Sequence, residues 1–171
     1  MEKLMSKLLS YFSSFRGVYF LAFIIASALL IFEYQLQINI GFQPCVMSYV
    51  ARLLFLLLAL LFLIFSLVSN SQSFQRFASF LCLAISLVGI YITAKHVYLQ
   101  ISGNTANLSF INLSNTPFLD LVRLGFSGSL DCAQIIWREL GLSLAEWTLG
   151  WFIFFAALSL FQSIRKFQKK K

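Results

Sequence analysis

Long apolar runs separated by short polar stretches dominate this chain. One runs from Gly17 to Phe32, with a continuation to Leu36 past Glu33. A second runs from Cys45 or Val46 to Val68 and carries Arg52 near its start. A third begins at Phe77 and ends at Thr93 or Ala94, and a fourth runs from Trp147 to Ile164. About 20 mostly apolar residues are needed to cross roughly 30 Å of hydrocarbon as a helix. These runs are too long for strands and lack strict alternation, so helices are predicted over about 17–36, 45–68, 77–94 and 147–164. The fold class is an all-α membrane protein, a single domain built as a four-transmembrane-helix bundle. The connection over 34–44 is of middling length, and Ser69 to Arg76 is a short polar turn. The connection over 95–146 is long enough to suggest a function of its own. Within it, Thr116-Pro117-Phe118 reads as an N-cap followed by a first-turn proline. Phe118, Leu121, Val122 and Phe126 then recur at helical spacing, which predicts a short amphipathic helix lying in the membrane interface.

Composition supports the membrane reading. Of 171 residues, 60% are hydrophobic and 11% charged, and 20 are Phe. Soluble proteins carry about 45–50% apolar and about 25% charged residues. Six acids and thirteen bases are too few to cover a soluble particle of this size. A water-soluble globule, a disordered chain and a coiled coil are all disfavoured. The net charge of +7 does not point to nucleic acid. Arg165, Lys166, Lys169, Lys170 and Lys171 crowd one terminus, and no basic stripe is interleaved with stacking aromatics.

The bases instead set an orientation by the positive-inside rule. Lys3, Lys7, Arg16, Arg76 and the five C-terminal bases share one side with Glu2. Arg52, Lys95, Arg123 and Arg138 share the other with Glu33, Asp120, Asp131, Glu139 and Glu146. Both termini are expected in the cytoplasm and both longer connections outside, which in a Gram-negative bacterium is the periplasm. Trp147 and Trp151 then fall at the outer aromatic belt. No signal peptide is expected, because no small-residue cleavage site closes the first apolar run. No Asp, Glu, Lys or Arg falls in the middle of a predicted span, which weakens channel, proton-relay and transporter readings.

Three cysteines are present. Cys82 lies mid-span and reads as a small packing residue. Cys45 and Cys132 both fall in the outer connections, on the side where disulfides persist. Position alone leaves a structural disulfide, two unrelated buried thiols and a redox role all open. Pro44 suits the first turn of a helix, which puts Cys45 at a helix N-terminus, where the dipole favours a thiolate. Cys45, Ser48, Tyr49 and Arg52 are spaced i, i+3, i+4 and i+7, along one helical stripe. Arg52 reads either as a snorkelling anchor or as a fixed cation for an anionic or carbonyl-bearing ligand. No metal-ligand cluster is expected, since there is one His and the cysteines are far apart in sequence. No Gly-rich phosphate loop or Ser/His/Asp arrangement is evident. Two matches to the N-glycosylation pattern, at Asn107 and Asn112, read as chance.

The Pro44-Cys45-Val46-Met47-Ser48 segment, followed by Arg52 in the second apolar run, resembles the disulfide bond formation protein B (DsbB) family. Further resemblance lies in His96-Val97-Tyr98-Leu99-Gln100, in Ser127-Gly128-Ser129-Leu130-Asp131-Cys132-Ala133-Gln134, and in Trp137 with Leu140-Gly141-Leu142-Ser143-Leu144-Ala145-Glu146-Trp147. It covers about residues 11–165. The Pro-Cys motif alone is moderately specific, but together with the other stretches on a four-span profile it is strong.

The resemblance implies a membrane thiol oxidase that reoxidises a periplasmic DsbA-like dithiol oxidase and passes electrons to ubiquinone or menaquinone, in the bacterial inner membrane. It implies two redox pairs, one per outer connection. Cys45 and Cys132 match one member of each. Ser48 stands where the family motif has its second Cys, and Ser109 fits the remaining Cys position by spacing. The pattern is that of a deliberate double Cys→Ser exchange in a normal family member, the alternative being a natural, altered paralogue. Such a chain is expected to hold a Cys45–Cys132 disulfide between its outer connections and to be impaired in turnover. The quinone is expected near the outer ends of the first, second and fourth helices, by Cys45, Ser48 and Tyr49. Arg52 would aim at a carbonyl oxygen, and His96 would line the approach. Two competing readings are a vitamin K epoxide reductase-like quinone enzyme and a small four-span transporter or scaffold without redox activity.

Overall fold

Hydrocarbon offers no water to a backbone N–H or C=O, so a spanning segment must satisfy its hydrogen bonds internally. The sequence complies: its only prolines, Pro44 and Pro117, each stand just ahead of a helix. A computed structural model describes residues 15–41, 44–68, 71–102, 117–128, 130–133, 135 and 137–164. Four long helices carry the chain: α1 (Phe15–Ile40), α2 (Val46–Val68), α3 (Gln72–Ser102) and α5 (Leu144–Ile164). All four are long and apolar enough to cross a membrane. The short α4 (Phe118–Ser127) follows α3 in sequence, and a 3-10 turn covers Leu130–Ala133. A two-stranded hairpin, β1 (Arg138–Glu139) with β2 (Leu142–Ser143), leads into α5.

The helices outrun the apolar segments that announce them. α1 continues to Ile40, and α3 extends at both ends beyond 77–94. At 1.5 Å per residue, the 31 residues of α3 reach about 46 Å, well over the ~30 Å hydrocarbon thickness. Its final turns therefore project beyond the apolar layer. The physical reason is that Gln35-Leu36-Gln37 and Lys95–Ser102 are polar but contain no helix breaker. α1 stops where Gly41 takes φ +68° and its N–H closes on the Gln37 carbonyl at 2.9 Å, a left-handed C-cap that glycine adopts cheaply.

α5 begins at Leu144, ahead of Trp147. A reciprocal pair fixes this start: the Ser143 N–H donates to Glu146 Oε2 (2.6 Å) and the Glu146 N–H to Ser143 Oγ (3.3 Å), the capping-box arrangement. The hairpin before it turns on Leu140 (φ 53°) and Gly141 (φ 84°), two successive positive φ values of the kind that suit a tight hairpin.

α3 packs most extensively on α5, and α2 lies against both α1 and α3. The buried centre is aromatic: Tyr19, Phe55, Phe62, Phe152 and Phe155. Phe55 meets Phe152 with ring centroids 4.3 Å apart, and Phe62 meets Phe155 at 5.3 Å. The outward faces are apolar too, with Phe77, Phe80, Leu67 and Ile164 exposed, as lipid contact requires. Several polar groups on the spans are paired, for example Tyr19 Oη donating to Ser79 Oγ at 3.0 Å.

α4 has Pro117 at its N-cap, without a side-chain cap bond. The expected cap, Thr116, lies outside the described residues. α4 buries Leu121 and Gly125 and exposes Phe118 and Leu119. The expected apolar stripe through Phe118 thus divides, Leu121 toward protein and Phe118 away from it.

α3 and α5 approach closely at Gly89, where an added Cβ would overlap the buried Phe152 ring. Small residues at such crossings let membrane helices meet. Gly89→Ala gains about 1 kcal/mol of helix propensity, but overpacking a filled core costs about 1–3 kcal/mol. We expect a lower thermal midpoint in detergent, with Gly150→Ala, whose Cβ meets open space and so keeps the propensity gain, as the comparison that does not fall.

Candidate thiol–imidazole centre and quinone pocket

Three separate elements bring the reactive groups to one end of the bundle. α2 supplies Cys45 at its N-cap position, and the Tyr49 N–H closes on the Cys45 carbonyl at 3.0 Å. α3 supplies His96 from its projecting end. The 3-10 turn supplies Cys132, which is buried. The turn is held in place by α4. Gly125 lies so close to α2 that an added Cβ would stand 2.6 Å from Val50 Cγ2. Lys95 Nζ donates to the Phe126 carbonyl at 2.9 Å, a cation at the negative end of the α4 dipole.

Cys45 Sγ lies 3.6 Å from His96 Nε2. The Cys45 sulfur, a His96 ring nitrogen and the Cys132 sulfur all lie within 4.8 Å of one another. No disulfide joins Cys45 and Cys132 in this structure. The Cys45 thiol is pushed well below the ordinary thiol range. The leading cause is the hydrogen bond from the Cys132 thiol, opposed by burial. The His96 ring, as hydrogen-bond partner and as charge, and the Ser48 backbone N–H lower it further. The helix N-terminus expected from Pro44 is therefore present, but its share is smaller than that of the two side chains facing it.

Arg52 turns the other way, onto α1. Its Nε lies 3.2 Å from Glu33 Oε2 and its Nη1 is 2.5 Å from Gln37 Oε1. The Thr148 hydroxyl on α5 stands 3.3 Å from Glu33 Oε1. One buried polar set thus joins α1, α2 and α5. Arg52 Nη2 is buried and lacks a hydrogen-bond partner among the described residues. Glu33, near the outer end of the expected 17–36 helix, lies inside α1 and is buried. A lone charge there would be costly, and its salt bridge answers that cost.

Beside this set is a cavity of about 220 Å³. Leu29, Phe32, Glu33, Phe55, Trp137, Trp147, Thr148 and Trp151 are among its lining residues. Phe32 and Trp137 meet edge to face at 6.2 Å.

The chain matches the family model described as disulfide bond formation protein DsbB over residues 15–162. It belongs to the DsbB family. It is 32% identical over 164 residues to a disulfide bond formation protein B of Xylella fastidiosa (strain 9a5c), covering 92% of this chain and 94% of that one. The protein of the same name from Xanthomonas campestris pv. campestris (strain 8004) is 33% identical over 158 residues, covering 88% and 91%. That of Nitrosococcus oceani is 31% identical over 155 residues, covering 87% and 91%. As a DsbB family member the chain is a multi-pass membrane protein of the disulfide-forming oxidoreductase class, and the vitamin K epoxide reductase-like and transporter readings fall away.

In this DsbB family chain the expected site divides in two. Cys45, Cys132 and His96 come together. Arg52 serves the α1 side, and the cavity is not lined by Cys45, Ser48, Tyr49 or His96. Ser48 and Tyr49 are half-buried on α2. Ser109 lies outside the described residues. Contrary to the expectation that no metal-ligating set forms, three potential ligands converge; sequence distance concealed what the fold brings close. Glu33, Gln37, Thr148 and Trp137 were not foreseen. The i, i+4 spacing of Glu33 and Gln37 was the available signal, hidden by ending the first helix near Leu36.

The thiol arrangement gives a pH signature. A lowered pKa keeps Cys45 as thiolate, and so reactive, as pH falls below the usual thiol value of about 8.5. Iodoacetamide labelling of Cys45, followed by mass spectrometry, should stay fast below that pH. Cys132→Ala and His96→Ala should each move the midpoint upward, because each removes a group that lowers the Cys45 pKa. An unchanged midpoint in both variants would contradict this account.

Proposed function

We propose that this DsbB family chain is a thiol:quinone oxidoreductase framework of the bacterial inner membrane, taking electrons from a periplasmic DsbA-like dithiol oxidase. The observation that carries the reading is the approach of Cys45 and Cys132, one from each outer connection, to within 4.8 Å. Ser48 and Ser109 stand as exchanges of one thiol from each redox pair. With them absent, Cys45 and Cys132 are left to bridge the two connections, a form resembling an intermediate of electron flow between the pairs. Their sulfurs must close from within 4.8 Å to the ~2.05 Å of a disulfide. Cys45 is the attacking thiolate, since its neighbours favour that form, and exchange requires only a thiolate and access. Ser48 supplies no thiolate beside it, so turnover should be impaired.

Ubiquinone or menaquinone fits the cavity beside Glu33. Its walls are mostly aromatic and aliphatic, with Glu33 and Thr148 as the polar lining; Arg52 is not itself a lining residue and bears on the cavity through Glu33, which it holds. Bound there, a quinone provides a two-electron acceptor. The chain's own contributions are positional. Glu33 and Gln37 hold the Arg52 guanidinium in one orientation, Phe32 and the tryptophans exclude water, and Thr148 holds Glu33. Charge asymmetry supports cytoplasmic termini and periplasmic thiols.

Non-reducing peptide mapping after mild oxidation should join Cys45 to Cys132 and leave Cys82 as a thiol. The Ser48→Cys, Ser109→Cys chain should gain quinone reduction driven by a reduced DsbA-like protein. Adding Arg52→Ala to it should raise the quinone KM. A chain that already turns over at the restored rate would remove Ser48 from the quinone-linked position. Separately, alkaline phosphatase fusions should be active near Asn107 and inactive after Lys171; the reverse pattern would invert the topology.

A further inference from the structure

Cys45, His96 and Cys132 form a set of two sulfurs and one imidazole nitrogen, contributed by three different elements. We infer that, in its reduced form, this set is a binding site for a soft divalent cation, Zn²⁺ above all, with Cys45, His96 and Cys132 as its three protein ligands. It goes beyond disulfide exchange and rests on the three side chains alone, so it stands or falls independently of the quinone reading.

The geometry carries it. A tetrahedral zinc with Zn–S of about 2.3 Å and Zn–N of about 2.0–2.1 Å sets its sulfur and nitrogen ligands about 3.6 Å apart, and two sulfurs about 3.8 Å apart. Cys45 Sγ and His96 Nε2 already stand 3.6 Å apart. The remaining separations are no more than 4.8 Å, so closing the triangle asks at most about an ångström of movement per edge. Bridging the sulfurs directly asks for far more, down to ~2.05 Å. The ligand types also select: thiolate and imidazole suit zinc, whereas magnesium and calcium want oxygen. Cys132 and His96 are buried while Cys45 is only partly so, which leaves a fourth position for water or an added ligand.

Binding balances simply. One M²⁺ enters, both cysteines bind as thiolates with any proton they still carry passing to solvent, and two S–M bonds and one N–M bond form, with no change of oxidation state. The metal and the Cys45–Cys132 disulfide therefore exclude one another. The disulfide form has no thiolates to offer, and the metal form holds both sulfurs out of exchange. A bound cation also fastens the turn carrying Cys132 to the ends of α2 and α3.

The test uses the full chain in detergent, reduced with a phosphine, freed of it and kept anaerobic. Co²⁺ is the probe, Zn²⁺ the competitor. One equivalent of Co²⁺ should give the visible bands of a tetrahedral centre with thiolate-to-cobalt charge transfer, bleached by Zn²⁺. Oxidising the two thiols to the disulfide beforehand should abolish the bands. His96→Ala should weaken Zn²⁺ binding on the order of a hundredfold, because loss of an outer-shell partner alone costs 10–100-fold. Cys82→Ala should leave binding unchanged. In the unsubstituted chain, Zn²⁺ should also protect both Cys45 and Cys132 from maleimide, read by peptide mapping. Absence of the bands from a chain whose two thiols are titrated as reduced would overturn the inference. So would bands of equal strength in His96→Ala, or thiols that label at the same rate with and without Zn²⁺. None of these failures touches the disulfide reading, which the oxidised chain's peptide map tests by itself.

Discussion

A polar atom placed among hydrocarbon chains has no water to fall back on, and this bundle is arranged around that constraint. Its most demanding case is Arg52. The guanidinium sits on α2 with Glu33 and Gln37 of α1 against it, and Glu33 in turn meets Thr148 of α5. Removing one member would strand the others, so three helices are held in one relative register by chemistry rather than by shape alone. Hydroxyls deeper in the bundle solve the same problem locally. Ser86 and Thr93 each donate to the carbonyl four residues earlier.

The same constraint explains why reactive groups gather at one end. Cys45, His96 and Cys132 need partners that can change protonation, and such partners are affordable only where the apolar layer gives out. α3 makes this workable by continuing past its apolar run. Its last turns offer Lys95 to the end of α4, His96 to Cys45 and Gln100 to Ser143 at the head of α5. One helical segment thus positions the thiols and the start of the final helix together.

Much of this was legible in the sequence. The four spans, the short helix beginning at Phe118 and the family follow from apolar run length, spacing and the resemblance of short motifs. What escaped did so for physical reasons. Helix ends were read where apolarity stopped, but a helix ends where a breaker stands, and Gly41 is one whereas Leu36 is not. Ending the helix at Leu36 left out Gln37, the second α1 partner of Arg52. The convergence of His96 with the two cysteines depends on α4 docking through Gly125, a tertiary contact with no local signature. The Leu140-Gly141 turn lacks the Asn-Gly pair that would have marked it. The capping box at Ser143 and Glu146 was visible as a Ser-x-x-Glu pattern and was passed over for the motif around it.

The bond from Lys95 to the Phe126 carbonyl carries one more consequence. Together with the Gly125 contact to Val50, it fixes α4 on the bundle from α4's own side, independently of the sequence that leads into it. The placement of Cys132 is then measured from α2 and α3, not counted along the chain from Ser102. An exchange at Lys95 or Gly125 would then shift Cys132 relative to Cys45 and His96 without altering any of those three side chains.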